Sequence, residues 1–215
     1  MSTSVLLCDL DNTLYSASSG LLRHIDTRIT QYLQEILHIE LDEALELRRA
    51  YFANHGTTLR GLQQNHTVDT EQYLSYIHDV ALEQFLSFDV EVDGLLRTIP
   101  ARKAIFTNSP AEHAHRALRT LQLAHHFEQV FDLRYFGFQP KPDFENYQTV
   151  LDVMEVTGAQ TVFVEDTQHN LEPAKKLGMT TILIDETGRY NHPAPFVDYT
   201  VTSITAALQI VLDLS

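Results

Sequence analysis

The sequence predicts a doubly wound parallel α/β sheet that carries an inserted helical segment, and three observations predict it. Short apolar runs recur at Val5-Leu6-Leu7-Cys8, Ala104-Ile105-Phe106, Val162-Phe163-Val164 and Thr181-Ile182-Leu183-Ile184, as expected of parallel strands covered on both faces. Between them lie segments over 111–121, 144–156 and 171–177 whose apolar residues recur at three- and four-residue steps, the period of an amphipathic helix. The stretch 16–92 breaks this alternation and holds no convincing apolar strand.

Taken in order, the first strand ends at Asp9, and helices are expected over 21–37, 42–54 and 71–85. These helices follow the first strand almost at once, so the segment is placed over that strand's carboxyl end as a lid. The division expected is a core of residues 1–15 and 93–215 with a helical cap of 16–92. After the second strand, Ser109-Pro110-Ala111-Glu112 has Ser at N-cap, Pro at N1 and Glu at N3, a capping box opening a helix. Thr107 and Asn108 then fall at the strand's carboxyl end, where open α/β sheets bind ligands.

Bulk properties narrow the partners. With 15 Lys+Arg against 29 Asp+Glu the formal charge is −14, which repels a nucleic-acid polymer over most of the surface. A small phosphorylated metabolite stays compatible, because a divalent cation and one Lys can reverse the field locally. Cys8 is the sole cysteine, so no intrachain disulfide is possible. The start MSTSVLLCDL lacks the charged and small-residue features of a signal peptide, and a reducing cytoplasm is expected. No apolar run approaches the roughly 20 residues that span a bilayer. A monomer or a homodimer is expected.

The chemistry concentrates at strand ends. Asp9-Leu10-Asp11-Asn12-Thr13 sets two carboxylates two residues apart at the end of a buried strand, a costly placement unless a cation or donors meet them. Glu165-Asp166 ends another apolar run. Two converging acidic strand ends with room for water and phosphate oxygens suit Mg²⁺. Thr107-Asn108-Ser109 offers a hydroxyl, an amide and helix-start N–H groups to phosphate oxygens. Lys141, in Gln139-Pro140-Lys141-Pro142-Asp143, can stabilise carboxylates and a transferring phosphoryl alike. Each feature alone is also consistent with a turn, a cap or a surface charge.

In this order, Asp-x-Asp-x-Thr, Thr-Asn, Lys-Pro and Glu-Asp together resemble the four motifs of the haloacid dehalogenase superfamily, over nearly the whole chain. The resemblance implies a Rossmann-like core with an inserted cap, and a phosphatase working through an aspartyl-phosphate. It implies that Asp9 is the nucleophile and Asp11 the general acid and then base, with Thr107 and Lys141 holding the phosphoryl group. It also implies Mg²⁺ held by Asp9, the Asp11 backbone carbonyl and Asp166, with Glu165 acting through water.

A finer resemblance, to the pyrimidine 5′-nucleotidases of that superfamily, rests on Asp11-Asn12-Thr13-Leu14-Tyr15 running to Gly20-Leu21, and on His55-Gly56-Thr57-Thr58-Leu59-Arg60-Gly61-Leu62. It implies substrate contacts at Thr13, Tyr15, Thr57, Thr58, Arg60 and Asn108, with the 57–61 segment read as a Gly-containing turn between cap helices. Ser16 stands where the family often has Pro, and Glu-Asp stands for the commoner Asp-Asp. The expected substrate is a pyrimidine nucleoside monophosphate, UMP or CMP. Sugar phosphates and pyridoxal phosphate are the alternatives.

Dehalogenation uses the same nucleophile but needs neither the metal nor Asp11, so the extra carboxylates count against it. A receiver-type phospho-acceptor carries its Lys after all its acidic residues, whereas here Glu165-Asp166 follows Lys141. A catalytically silent binding protein would have no need of the full set of groups.

Overall fold

The computed structural model describes residues 3–215. Strand β1 (Val5–Cys8) leads into four helices, α1 (Leu21–Leu37), α2 (Leu41–His55), α3 (Thr58–Asn65) and α4 (Thr70–His78). There follow α5 (Val90–Thr98), β2 (Arg102–Phe106), α6 (Ala111–Thr120), β3 (Gln129–Phe131), α7 (Phe144–Val153) and β4 (Thr161–Glu165). The chain ends with α8 (Leu171–Lys176), β5 (Thr180–Ile184), β6 (Tyr199–Val201) and α9 (Ile204–Asp213).

All six strands are parallel in one sheet, ordered β3-β2-β1-β4-β5-β6. The strand order reverses between β1 and β4, which is the switch point where doubly wound sheets leave a crevice for ligands. Strict alternation sends Leu6, Cys8, Ile105, Val162 and Val164 to one face, where they pack with α5, α6 and α9. It sends Val5, Leu7, Ala104, Phe106 and Phe163 to the other, against α7 and α8. Burial on both faces explains why the central strands are apolar runs without a polar alternate. No helix among the described residues is long and apolar enough to cross a membrane.

Register does the positioning. Cys8 lies opposite Ile105 of β2 and Val164 of β4, so the next residue along each strand, Phe106, Asp9 and Glu165, comes level at the carboxyl edge.

The helices between β1 and β2 depart from the sequence expectation in two places. The 57–61 segment is the N-terminus of helix α3, with Thr57 as its N-cap accepting from the Arg60 N–H. Gly56 (φ +78°) closes α2, but Gly61 is interior to α3. It is there because a Cβ would meet the Tyr51 ring at 2.2 Å, so the second glycine marks helix contact instead of a turn. The helix expected over 71–85 stops at His78, and a short 3-10 turn at Leu82–Gln84 follows. The Arg116 guanidinium, donating to the carbonyls of His78 (2.8 Å) and Val80 (2.5 Å), satisfies carbonyls that a continuing helix would have used.

The capping box is also corrected. Pro110 is the N-cap of α6 and makes no side-chain cap. The Ser109 hydroxyl donates to Asp11, Glu112 pairs with Arg134, and the Ala111 N–H finds Asp132. Strands β3 and β6 and helices α5 and α9 had no sequence reading.

Candidate active site

Asp9 follows β1 directly, its N–H donating to Val164 O (2.9 Å). Lys141 lies in the loop before α7, with its side chain 1% exposed. Its Nζ donates to Asp9 Oδ1 (2.8 Å), Glu165 Oε2 (2.7 Å) and Phe106 O (2.8 Å), the three groups that strand register brings level. An ammonium has three donors, and all are committed. Burial opposes the charge on Lys141, but Asp9 and Glu165 outweigh it and raise the ammonium well above its ordinary value. Asn108 fixes the lysine's backbone, accepting from Lys141 N (2.7 Å) and donating to Lys141 O (3.3 Å).

One ammonium does not balance three carboxylates. Oxygens of Asp9, Glu165 and Asp166 lie within 4.8 Å of one another. Burial, with the Glu165 charge next, pushes the Asp9 carboxyl up to about 7 against the pull of Lys141. Burial, then Glu165 and Asp9, pushes Asp166 up to about 8. Carboxyls that resist ionising together fit a divalent cation, which removes the repulsion. Glu165 is tied down on both oxygens, since Oε1 accepts from the N–H groups of Asp166 (3.1 Å) and Thr167 (3.0 Å).

Asp11 stands apart from this cluster in its bonding. Its Oδ1 accepts from the Tyr15 hydroxyl and from His113 Nε2 (2.9 Å), and its Oδ2 accepts from Ser109 Oγ (2.5 Å). Burial alone would raise the Asp11 carboxyl. His113, Ser109 and Tyr15 outweigh burial and hold it well below the ordinary carboxylate range.

A cavity of about 620 Å³ opens over these groups. Asp9, Asp11, Thr107, Asn108, Lys141, Glu165 and Asp166 form its floor. Thr57, Thr58, Arg48, Arg49, Phe52, Ile77 and His78 line it from the helices after β1, and Arg189 lines it from the loop after β5. Thr107 is 1% exposed and its hydroxyl accepts from the Ser109 N–H. Three of the expected substrate contacts are not among the lining residues: Thr13, Tyr15 and Arg60. Thr13 Oγ1 is buried with no partner among the described residues, and the Tyr15 hydroxyl is spent on Asp11.

His113, Arg48, Phe52 and His78 escaped the sequence reading, and Ser109 entered it as a helix cap and not as a partner of Asp11. Ser109 precedes the N-cap Pro110 and His113 lies in the first turn of α6, so nearness to the strand end at Thr107, not helical spacing, is the one signal that flags the pair. The lining residues on α2 and α4 carry no comparable signal. A second cluster, Asp93, His125 and His126, is answered from within. Asp93 pairs with Arg97 (2.6 Å) and His126 (2.8 Å), and none of the three lines the cavity.

The chain matches the haloacid dehalogenase-like hydrolase family over residues 6–184. It is 27% identical to Phosphate metabolism protein 8 of Saccharomyces cerevisiae over 83% of this chain, a match that spans 60% of the yeast protein. It is 24% identical to the Glyceraldehyde 3-phosphate phosphatase of Methanocaldococcus jannaschii over 97% of both chains. Among solved structures, a HAD phosphatase from Thermococcus onnurineus superposes with a TM-score of 0.69 at 17% identity, covering 97% of each chain. The HAD hydrolase YfnB from Bacillus subtilis, bound to magnesium, superposes with a TM-score of 0.61 at 17% identity, covering 98% of this chain and 99% of that one.

Proposed function

Because the chain belongs to the haloacid dehalogenase-like hydrolase family, we propose that it is a Mg²⁺-dependent phosphomonoesterase acting through an aspartyl-phosphate on Asp9, with pyrimidine nucleoside 5′-monophosphates as its preferred substrates. The observation that carries the first part is the division between two carboxylates two residues apart. Asp9 is held by Lys141 at the floor of the cavity, and Asp11 is held by hydroxyl and imidazole donors.

In this reading Asp9 attacks phosphorus as the bond to the leaving oxygen breaks, and water then attacks the phosphoryl group and frees Asp9. Asp11 gives a proton to the leaving oxygen and later takes one from water. Its donors favour the ionised form, which suits the second half directly. For the first half the substrate brings the proton, since a second phosphate pKa of about 6 leaves a monoanionic fraction near neutrality, and Asp11 takes it from the bound phosphate and passes it to the leaving oxygen. The Thr107 hydroxyl and the Asn108 N–H bind phosphoryl oxygens, the Ser109 and Ala111 N–H groups being taken by Thr107 and Asp132. With all its hydrogens committed, Lys141 acts on the phosphoryl group through its charge. Mg²⁺, when bound, would be held by Asp9, Asp166 and the Asp11 backbone carbonyl, and would supply the positive charge that lets an anionic phosphate approach three carboxylates. The magnesium in the YfnB structure and the phosphatase in the name of the Methanocaldococcus relative support this reading.

The specificity part rests on the upper cavity. Phe52 lines it while 59% exposed, which offers an aromatic face for a base. Thr57, Thr58, Arg48 and Arg49 offer donors for pyrimidine carbonyls. Release of phosphate from p-nitrophenyl phosphate, with and without Mg²⁺, tests the activity. A panel of UMP, CMP, AMP, GMP, sugar phosphates, glyceraldehyde 3-phosphate and pyridoxal phosphate tests the substrate. No phosphate release from any of them rejects a phosphatase. A purine nucleotide or sugar phosphate as best substrate rejects the nucleotidase part alone. Thr58→Val should raise KM for UMP and leave that for p-nitrophenyl phosphate unchanged.

A further inference from the structure

We propose that His113 is the positioning residue for Asp11, and that together with Tyr15 it restricts proton exchange to one of the two Asp11 oxygens. The inference rests on the acid–base role given to Asp11 above.

His113 sits on the first turns of α6, with its side chain 0% exposed. Its Nε2 lies 2.9 Å from Asp11 Oδ1, so that nitrogen carries the hydrogen and the ring donates. The other ring nitrogen, Nδ1, is buried with no partner among the described residues. His78 of α4 packs against the ring at 4.7 Å between centroids, and the His78 Nδ1 is taken by Leu74 O (2.9 Å). An apolar ring would fill the same space and strand no nitrogen. A histidine kept at this cost to folding is explained by its one satisfied atom, the Nε2–H on Asp11.

The consequence is regiochemical. Oδ1 accepts two hydrogens, one from His113 and one from the Tyr15 hydroxyl, and has no room to carry its own. A proton held by Asp11 is therefore on Oδ2, whose one partner is the Ser109 hydroxyl. That hydroxyl can turn to accept instead of donate. In the first step the Oδ2 proton passes to the leaving oxygen as its bond to phosphorus breaks and the Asp9 bond forms. In the second, Oδ2 takes a proton from the attacking water as the Asp9–phosphorus bond breaks. Without the His113 donor the carboxyl group can turn about its Cβ–Cγ bond and present the wrong oxygen.

The test compares two leaving groups: p-nitrophenyl phosphate, whose phenolate departs with little help, and UMP, whose alkoxide needs the proton, with glyceraldehyde 3-phosphate in its place if UMP is not cleaved. His113→Phe keeps the ring and removes the donor, His113→Leu is a second apolar variant should Phe not fold, and His113→Gln restores an N–H at similar reach. For the apolar variant we expect kcat on the alkyl ester to fall about 10²-fold, the scale of a misplaced catalytic group, with KM unchanged, a much smaller loss on p-nitrophenyl phosphate, and recovery in His113→Gln. In an Asp11→Asn background the same substitution should cost nothing further. Equal losses on both substrates, no recovery by Gln, or full additivity with Asp11→Asn would each reduce His113 to packing. Inactive wild type on every phosphate ester sinks the phosphatase reading, whereas an active wild type with an indifferent His113 sinks this inference alone.

Discussion

Removing the metal should make folding stability fall as pH rises through neutrality, the reverse of ordinary acid denaturation. Asp9 and Asp166, ordinarily at 3.8, titrate at about 7 and about 8 in the folded chain. A raised carboxyl is protonated when folded and ionised when unfolded, so its stabilisation is full below the unfolded value and is lost as pH climbs to the folded one. His78 acts oppositely. Burial first, then the neighbouring His113, depresses it from 6.5 to about 4, so its contribution grows with pH up to 6.5 and is then constant. Asp11, with a depressed carboxyl, matters only at acid pH.

The window that belongs to the acidic cluster is therefore about 6.5 to 8. Across it Asp166 gives up about 1.5 pH units of protonation at about 1.36 kcal/mol each, a loss of about 2 kcal/mol. Asp9 adds less, because most of its change lies below this window and each proton lost from one carboxyl makes the next harder to lose. Urea denaturation in EDTA across this pH range measures the slope. With Mg²⁺ the slope should flatten or reverse, because the ion binds the folded, ionised cluster and adds about 2.7 kcal/mol at a hundredfold excess over its dissociation constant. Groups remote from the metal cancel in the difference between the two conditions. Asp166→Asn should remove most of the slope, leaving the smaller part due to Asp9, and should weaken the Mg²⁺ effect. A Mg²⁺ stabilisation that does not change with pH, or a metal-free stability that rises between 6.5 and 8, would refute the reasoning.

Asp9→Asn should leave no turnover above background and, by removing one of three repelling carboxylates, should stabilise the metal-free protein at pH 8; phosphate release and urea midpoints check both. Lys141→Met leaves two buried carboxylates uncompensated and should cost about 3–5 kcal/mol in urea denaturation, with activity lost as well. Asp166→Ala should raise the Mg²⁺ concentration for half-maximal rate far more than Glu165→Ala, whose oxygens are occupied by Lys141 and two N–H groups. Equal Mg²⁺ effects would contradict that assignment. Gly61→Ala, which in an open helix would stabilise by up to about 1 kcal/mol, should instead destabilise by about 1–3 kcal/mol against the Tyr51 ring, as thermal melting would register.

What could be read from the sequence divides along a physical line. The four central strands were legible because burial on both faces leaves apolar runs, and because Asp9, Thr107 and Glu165 mark their carboxyl ends with groups too polar for a core. Edge strands β3 and β6 are short, and Tyr199-Thr200 of β6 is exposed, so neither presents a run. Helix α3 was hidden because Gly61 answers to Tyr51, ten residues away, and no local propensity rule contains that contact. The capping box failed for a related reason. Ser109 has the sequence context of a cap, but the half-buried carboxylate of Asp11 is a stronger claimant for its hydroxyl than a backbone N–H that Asp132 can satisfy. The same competition hid His113, which reads as one more polar residue on an amphipathic helix until the sheet brings Asp11 beneath it. Residues whose role is set by the strand they end are readable one segment at a time. Residues that hold those groups in place belong to two distant segments at once, and their function exists only after the chain has closed.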